Sequence, residues 1–171
     1  MSDRDIDDQL REVMPRLRRF AQWLTRDASA ADDLVQSTLE RALTRWGSRR
    51  DATALRPWLF AILYRQFLDA KRRSRRYAFM LDHFREGENV TQPSVEREVI
   101  AHSVLQAMEH LTPEQRSLLL WVSVEGFSYR EVADMLQVPI GTVMSRLSRA
   151  RQALHRLSSG DAPTPALRLL K

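Results

Sequence analysis

The chain has 171 residues, with 27 basic and 22 acidic side chains, a formal net charge of +5 and no cysteine. At about 150 residues per domain, this length allows one ordinary domain or two small ones. The lack of cysteine excludes a disulfide framework, a thiolate metal site and a cysteine nucleophile. The longest apolar run, seven residues from Trp58 to Tyr64, is far too short for a membrane span. Because the start of the chain is polar and acidic rather than signal-like, we expect a cytoplasmic protein without membrane insertion.

Four helices are predicted in the first part of the chain, and the sequence signals bound three of them. Apolar residues recur every three or four positions from Ile6 to Leu24, which is the spacing of one buried helix face. Asp27 or Ser29 can cap a second helix that runs from about Ala30 to Trp46. A third helix begins with Pro57 in its first turn and ends near Arg76.

The positive charge is concentrated at the end of this first part. Residues 49–76 hold nine basic and two acidic side chains. Residues 77–94 contain glycine, asparagine and proline without clear periodicity, a composition that predicts a flexible linker. We therefore expect an all-α protein of two small helical domains, with the first at 1–76, the linker at 77–94, the second domain at 95–160 and a tail at 161–171.

Sharper signals mark the helices of the second domain. The capping box Thr112–Gln115 opens a helix that stops near Gly126, and a second box, Ser128–Glu131, opens a shorter helix. After a break at 137–139, a longer helix carries an arginine-rich outer face, and no acidic residue occurs from Val138 to Leu157. Two helices joined by a tight turn, with a basic face on the second, are typical of a DNA-binding helix-turn-helix.

Four segments then resemble one known family, the bacterial RNA polymerase sigma factors of the extracytoplasmic-function (ECF) group. SYREVADMLQVPIGTVMSRLSRARQAL resembles its promoter-binding helix-turn-helix, and LTPEQRSLLLWVSVEGF the helix before it. DDLVQSTLERAL resembles the helix that docks on the polymerase clamp, and LRPWLFAILYRQFLDAKRR the helix that opens and reads the minus-ten element. The order matches over most of residues 10–157. Two departures are Gln137, where the family often has glycine, and Arg65, where it often has asparagine.

The resemblance implies a transcription initiation factor that directs core RNA polymerase to promoters, and neither enzyme activity nor a metal or other cofactor is expected. The implied partners are the clamp of the largest polymerase subunit and the flap, promoter DNA, and an anti-sigma factor. For the minus-thirty-five element the implied residues are Tyr129, Arg130, Thr142, Met144, Ser145, Arg146, Ser148 and Arg149. For the minus-ten element they are Arg49, Arg50, Arg56, Tyr64, Arg65, Lys71, Arg72 and Arg73. Polymerase docking is assigned to Asp32, Asp33, Gln36 and Glu40.

Other classes of protein fit fewer of these features. A simple DNA-binding regulator would share the helix-turn-helix, but residues 1–76 lack the pattern of a ligand or phosphoacceptor domain. A sigma mimic that occupies an anti-sigma factor could lose its DNA-facing arginines, which this chain keeps. An enzyme fits least, because the four histidines form no metal-ligand pattern and no carboxylate pair lies in a catalytic motif.

Overall fold

The computed structural model describes residues 3–48, 55–82 and 101–159, and these ranges contain seven α-helices and no strand. We call α1 to α3 the N-terminal half and α4 to α7 the C-terminal half. The N-terminal half comprises α1 (Asp3–Thr25), α2 (Ala28–Thr44), a 3-10 turn (Trp46–Ser48) and α3 (Leu55–Asp82). The C-terminal half comprises α4 (Ala101–His110), α5 (Pro113–Leu119), a π-helical turn (Leu120–Val124), α6 (Tyr129–Leu136) and α7 (Ile140–Ser158). The predicted all-α fold class is confirmed.

The third helix is longer than the sequence signals indicated. It continues past Arg76 to Asp82, so the first residues assigned to the linker are helical. The physical reason is that neither glycine nor proline occurs between Pro57 and Gly87 to end the helix. The rest of the predicted linker, 83–94, and the tail, 161–171, lie outside the described residues.

The predicted caps form as local sequence chemistry requires. The Asp27 carboxylate accepts a hydrogen bond from the amide of Ala30 at 2.7 Å and so begins α2. Thr112 and Ser128 each form a complete capping box, at the starts of α5 and α6. After α6 the chain turns through Gln137, whose left-handed backbone (φ 57°, ψ 46°) carries a side chain where glycine is favoured.

The two halves pack against each other around one continuous apolar core. Trp121, from the π-helical turn, is fully buried between rings of the N-terminal half. Its centroid lies 5.5 Å from that of Phe20 and 4.9 Å from that of Tyr64, the latter in an edge-on arrangement. Phe127 meets Phe60 edge-on at 5.2 Å. Each such aromatic pair stabilises a protein by about 0.5–1.5 kcal/mol beyond the burial of area.

Polar contacts add to this packing where helices end. Arg116 of α5 is 3% exposed, and its guanidinium donates to four backbone carbonyl oxygens. Three of them, from Met108, Glu109 and Leu111, lie at the end of α4, and the fourth, from Trp23, lies near the end of α1. The carbonyl oxygens at a helix end have no partner within the helix and carry partial negative charge. A single buried cation therefore satisfies the ends of two helices and joins the two halves.

Candidate nucleic-acid and partner interfaces

The outer face of α7 is open to solvent along its first turns. Met144, Ser145, Ser148 and Arg149 are exposed, whereas Val143, Leu147 and Ala150 on the opposite side are buried. The capping box of α6 and the break at Pro139 orient this helix against α5 and α6. We call the four exposed residues the recognition face. With no acidic side chain on α7, this face can approach the electronegative edges of a duplex groove without repulsion.

The residues assigned to phosphate contacts surround the recognition face. Arg130 is exposed at the start of α6, and Tyr129 and Thr142 are half-buried. Arg146 is half-buried and forms an ion pair with Glu114 in the first turn of α5. Arg146 is thus held in place by a carboxylate. Arg130 and Arg149 are the exposed cations among the residues assigned to the minus-thirty-five element.

The basic residues of α3 fall into two groups with different surroundings. Arg72 and Arg73 are exposed, and Lys71 is half-buried with its ammonium 5.9 Å from the centre of the Phe67 ring. Arg72 lies 4.0 Å from the carboxylate of Asp69 one turn earlier. This end of α3 is open to a polyanion. Arg49 and Arg50, assigned to the same element of DNA, lie outside the described residues.

The residues of the other group contact the C-terminal half, although Arg65 stays exposed and Arg56 is only half-buried. Arg56 donates to the carbonyl oxygen of Glu125 at 2.8 Å, and Arg65 donates to that of Met135 at 3.3 Å. Tyr64 is 4% exposed and lies under Trp121. With the halves packed in this way, a DNA base cannot reach Tyr64. Its assignment to the minus-ten element stays a prediction that requires the halves to separate.

Burial also changes the acidity of Tyr64. Removal of its hydroxyl from water, together with the negative charge of Glu114, raises the pKa of Tyr64 to about 12. The neutral phenol is therefore the form that the packed interface favours.

Three of the four residues assigned to polymerase docking line one groove between α1 and α2. Asp32, Gln36 and Glu40 are exposed and follow each other at intervals of four along α2, with Leu39 and Leu43 beside them. Met14 of α1 lies across the groove, and the groove encloses about 760 Å³. We call it the α1–α2 groove. Its floor is apolar. Asp32 and Glu40 lie on the α2 side of the rim, and Arg11, Arg18 and Arg19 line the α1 side. The groove therefore suits an amphipathic helix that carries both basic and acidic residues.

Asp33 is separated from the other three. It lines a different groove, between α2 and α3, together with Gln66, Phe67 and Arg73. A helix turns by about 100° per residue, so Asp32 and Asp33 cannot serve the same narrow surface. Asp32 itself accepts a hydrogen bond from Nη2 of Arg18 at 2.8 Å and lies 2.7 Å from Nε of the same guanidinium, an ion pair that holds it on the rim.

Sequence reasoning missed the residues that join the halves. Glu125 follows the π-helical turn, is 6% exposed, and lies within 3.5 Å of Arg16 and 3.3 Å of Arg56. Trp121 and Arg116 were interpreted only as parts of one helix. The available signal was weak: an acid and an aromatic residue inside an apolar segment suggest long-range partners but do not identify them.

Residues 3–48, 55–82 and 101–159 offer neither a metal site nor a membrane-spanning helix. Within them, no group of three or more histidine, cysteine, aspartate and glutamate side chains is arranged to hold a metal ion. None of the helices in those ranges combines the length and apolar character needed to cross a bilayer.

Each half of the chain matches a known family model. Residues 101–154 match the family model described as "Sigma-70, region 4", and residues 10–64 match that described as "Sigma2 domain of PhyR". The chain is 35% identical over 152 residues to the ECF RNA polymerase sigma factor EcfG of Rhodopseudomonas palustris, covering 89% of this chain and 84% of that protein.

Solved structures extend this likeness to three dimensions. The chain resembles the sigma factor RpoE of Bartonella quintana, solved in complex with the anti-sigma factor NepR. The TM-score is 0.74 at 32% identity, over 92% of this chain and 99% of that chain. It also shares a fold with the anti-anti-sigma factor PhyR of Bartonella quintana, with a TM-score of 0.55 at 20% identity. That likeness covers 85% of this chain and 48% of PhyR.

Proposed function

Because the chain belongs to the ECF group of RNA polymerase sigma factors, we propose that its three exposed surfaces divide the work of directing core polymerase to promoters. The recognition face of α7 reads the minus-thirty-five duplex, the basic end of α3 holds the opened minus-ten strand, and the α1–α2 groove docks on polymerase. The observation that carries the proposal is the exposed, acid-free recognition face beside buried Val143 and Leu147. A factor with these partners acts in the cytoplasm, and its work is binding rather than catalysis.

The recognition face supports direct reading of base edges in the major groove. Arg149 is exposed and can pair with the two acceptors of a guanine, the commonest specific contact of this kind. Met144 and Ser148 offer an apolar and a weakly polar contact beside it. Arg130 and Arg146, with Tyr129 and Thr142, contact phosphates and so set the register of the helix without specifying sequence.

The exposed end of α3 supports contact with single-stranded DNA. Lys71, Arg72 and Arg73 form a compact cationic surface that can follow a phosphate backbone. No chemical step is needed, because the binding energy of the opened strand offsets the cost of unstacking a base, a few kcal/mol.

The division between these two DNA surfaces can be tested by transcription in vitro. Arg149→Ala removes a base contact and lowers discrimination between promoters by about 1–3 kcal/mol, while Arg72→Ala mainly lowers opening. Initiation is measured on duplex and on pre-melted templates. A pre-melted minus-ten element restores initiation by Arg72→Ala but not the discrimination lost in Arg149→Ala. If pre-melting gives Arg72→Ala no rescue at all, the assignment of Arg72 to opening is wrong.

The α1–α2 groove supports docking on the clamp of the largest polymerase subunit. Its floor of Met14, Leu39 and Leu43 can bury an apolar stripe, and Asp32, Gln36 and Glu40 can meet basic and polar groups at its rim. Exposed apolar side chains gathered in one groove are typical of an interface. Contact of the C-terminal half with the polymerase flap belongs to the same proposal, on the resemblance alone.

A matched pair of charge reversals tests the docking surface. Glu40→Lys changes the rim of the α1–α2 groove, and Asp33→Lys makes the same change of charge on the side of α2 that faces α3. Pull-down of core polymerase is expected to fall for Glu40→Lys and to stay at the wild-type level for Asp33→Lys. Equal losses would show that the whole of α2, and not this groove, is the docking surface.

We further propose that an anti-sigma factor regulates the chain, as NepR binds RpoE in the solved complex. A second function, that of a sigma mimic, is raised by the match of residues 10–64 to the Sigma2 domain of PhyR. Addition of the protein to sigma-free core polymerase separates the two. Promoter-dependent initiation supports the sigma factor, whereas binding to NepR-class proteins without initiation on the organism's own core supports the mimic.

A further inference from the structure

The C-terminal half covers part of the DNA-binding surface that the proposed function assigns to the N-terminal half. Arg56, Tyr64 and Arg65 are all engaged by residues of the C-terminal half. The recognition face of α7 is exposed at the same time. This arrangement leaves the surface for duplex DNA open and blocks part of the surface for opened DNA.

One carboxylate lies at the centre of the contact. The side chain of Glu125 is buried, and its Oε2 atom lies 3.5 Å from a guanidinium nitrogen of Arg16 and 3.3 Å from one of Arg56. Arg16 comes from α1 and Arg56 from α3, so a single acid of the C-terminal half binds two helices of the N-terminal half. Ion pairs shielded from water are weakened less by salt than exposed ones.

The local backbone orients this carboxylate. The π-helical turn Leu120–Val124 inserts an extra residue into the helix, and Gly126 then ends it with a left-handed backbone (φ 72°). Both Trp121 and Glu125 consequently face the N-terminal half. Such single π-helical turns occur often at functional sites. Phe127 completes the contact, with the guanidinium of Arg56 5.1 Å from the centre of its ring.

The groups that Arg56 meets here resemble those of a nucleic-acid strand. Its guanidinium donates to a carboxylate oxygen and a carbonyl oxygen of Glu125 and lies over the ring of Phe127. A DNA strand would offer phosphate oxygens and a base in the same places. The same donors cannot serve both sets of acceptors at once. DNA and Glu125 therefore compete for Arg56, and binding of one weakens binding of the other.

We propose that Glu125 is a closing residue, which holds the two halves together and occupies Arg56 in place of a DNA phosphate until the protein engages polymerase and promoter. The proposal rests on the proposed function, because it takes Arg56 to be a DNA contact. It predicts that loss of the Glu125 charge opens the molecule and frees the covered part of the minus-ten surface.

Distance between the halves gives the first test. The chain has no cysteine, so Ser74→Cys on α3 and Gln152→Cys on α7, both exposed, provide the two dye positions in the full-length protein. Energy transfer between the dyes is expected to fall in Glu125→Gln relative to wild type. Asp134→Asn is the control, because it makes the same change of charge at an exposed position of α6.

Binding of a single strand gives the second test. Fluorescence anisotropy with a labelled oligo(dT) strand of about 16 nucleotides measures access to the opened-DNA surface. Glu125→Gln is expected to raise the affinity about fivefold, at the lower end of typical couplings between sites, while Asp134→Asn stays near wild type. An equal gain in both variants would mean that net charge alone acts, and would overturn the proposal.

A second variant covers the case in which Glu125→Gln is not folded, as checked by circular dichroism. Arg16→Gln removes one of the two partners from the surface of α1 and lowers the net charge, so a non-specific charge effect would weaken DNA binding. The proposal expects energy transfer to fall in Arg16→Gln, as it does in Glu125→Gln. If energy transfer is unchanged in each of Glu125→Gln and Arg16→Gln that folds, the proposal is contradicted. This holds even if no variant binds the strand measurably.

Transcription separates this proposal from the proposed function. If wild-type protein initiates from a promoter with core polymerase while the Glu125 and Arg16 variants keep wild-type energy transfer, only the closing role of Glu125 is wrong. If wild-type protein fails to initiate, the proposed function is wrong regardless of the dye distances.

Discussion

At the scale of single residues, Arg116 joins elements that are far apart in the chain. Its four acceptors are all backbone carbonyl oxygens, and burial lowers its pKa from the usual value, an effect that the positive charge of Arg26 strengthens. Nothing in the local sequence distinguishes Arg116 from the exposed arginines, because its role depends on Trp23, far away in the chain. Gln137 is the opposite case, since the family resemblance already marked it as a position where glycine is usual.

Replacement of Arg116 by methionine is expected to lower the free energy of unfolding by about 3–5 kcal/mol. The methionine fills a similar space but takes this donor away from the carbonyl oxygens of Trp23, Met108 and Leu111, while that of Glu109 keeps a hydrogen bond from Arg26. Each carbonyl oxygen left without a donor costs about 1–3 kcal/mol before relaxation and water entry reduce the loss. Urea denaturation followed by circular dichroism measures the change. Arg151→Met on the exposed side of α7 is the matched control, with an expected change within about 0.5 kcal/mol. A similar result for both would mean that Arg116 stabilises through its size alone.

Replacement of Gln137 by glycine is expected to stabilise the protein. A left-handed backbone costs a residue with a side chain about 1–2 kcal/mol, and Gln137 recovers part of this through the hydrogen bond from its Nε2 atom to the carbonyl oxygen of Asp134. The net gain should be about 0.5–1 kcal/mol, or about 1–4 °C in Tm. Gln137→Ala keeps the strain and loses the bond, so its Tm should not rise. A Tm for Gln137→Gly at or below that of Gln137→Ala would contradict this account.

At the scale of helices, the sequence predicted starts better than ends. Capping residues act over three or four positions, so Asp27, Thr112 and Ser128 could be recognised directly. The end of α3 was placed too early because charge and composition, rather than a stop signal, suggested the linker. The π-helical turn after α5 was not foreseen, since it depends on packing of Trp121 against the N-terminal half.

Loss of the α6 cap provides a prediction at this scale. In Ser128→Ala, the amide of Glu131 loses its acceptor and the carboxylate of Glu131 loses its hydroxyl donor. The expected loss is about 1 kcal/mol, measured by thermal unfolding. Ser123→Ala, at an exposed position outside any cap, should change stability by less than about 0.5 kcal/mol. If the two variants melt alike, the capping box contributes nothing measurable to the helix-turn-helix.

At the scale of the whole molecule, the family and most of the helices could be predicted, but α4 and the relation between the halves could not. Helical periodicity was enough to predict the outer side of α7, and Arg149 and Met144 are indeed exposed there. Tyr64 and Arg56 were assigned to DNA through the family resemblance, and in the structure the C-terminal half buries Tyr64 and binds Arg56. Periodicity identifies which side of a helix is buried or basic, but it carries no information on which distant surface meets that side.

The interface between the halves should depend on pH through Tyr64. Its pKa is about 12 in the packed protein and 10 in the unfolded chain, so the packed form binds the proton more tightly. Its contribution, about 3 kcal/mol at most, is complete below pH 10 and is lost as the pH rises towards 12. Unfolding of Tyr64→Phe should therefore depend less on pH between 10 and 12 than that of wild type. Parallel stability curves for the two proteins over this range would show that the phenol is not buried in solution.

The packing of Trp121 has an optical consequence. Indole emission shifts to longer wavelength when water reaches the ring, and of the chain's four tryptophans Trp121 is fully buried, whereas Trp23, Trp46 and Trp58 are already partly exposed. Any event that separates the halves, whether polymerase, DNA or a change of solvent causes it, exposes the indole of Trp121 to water. The protein therefore contains its own fluorophore for opening, readable without a label on the native sequence.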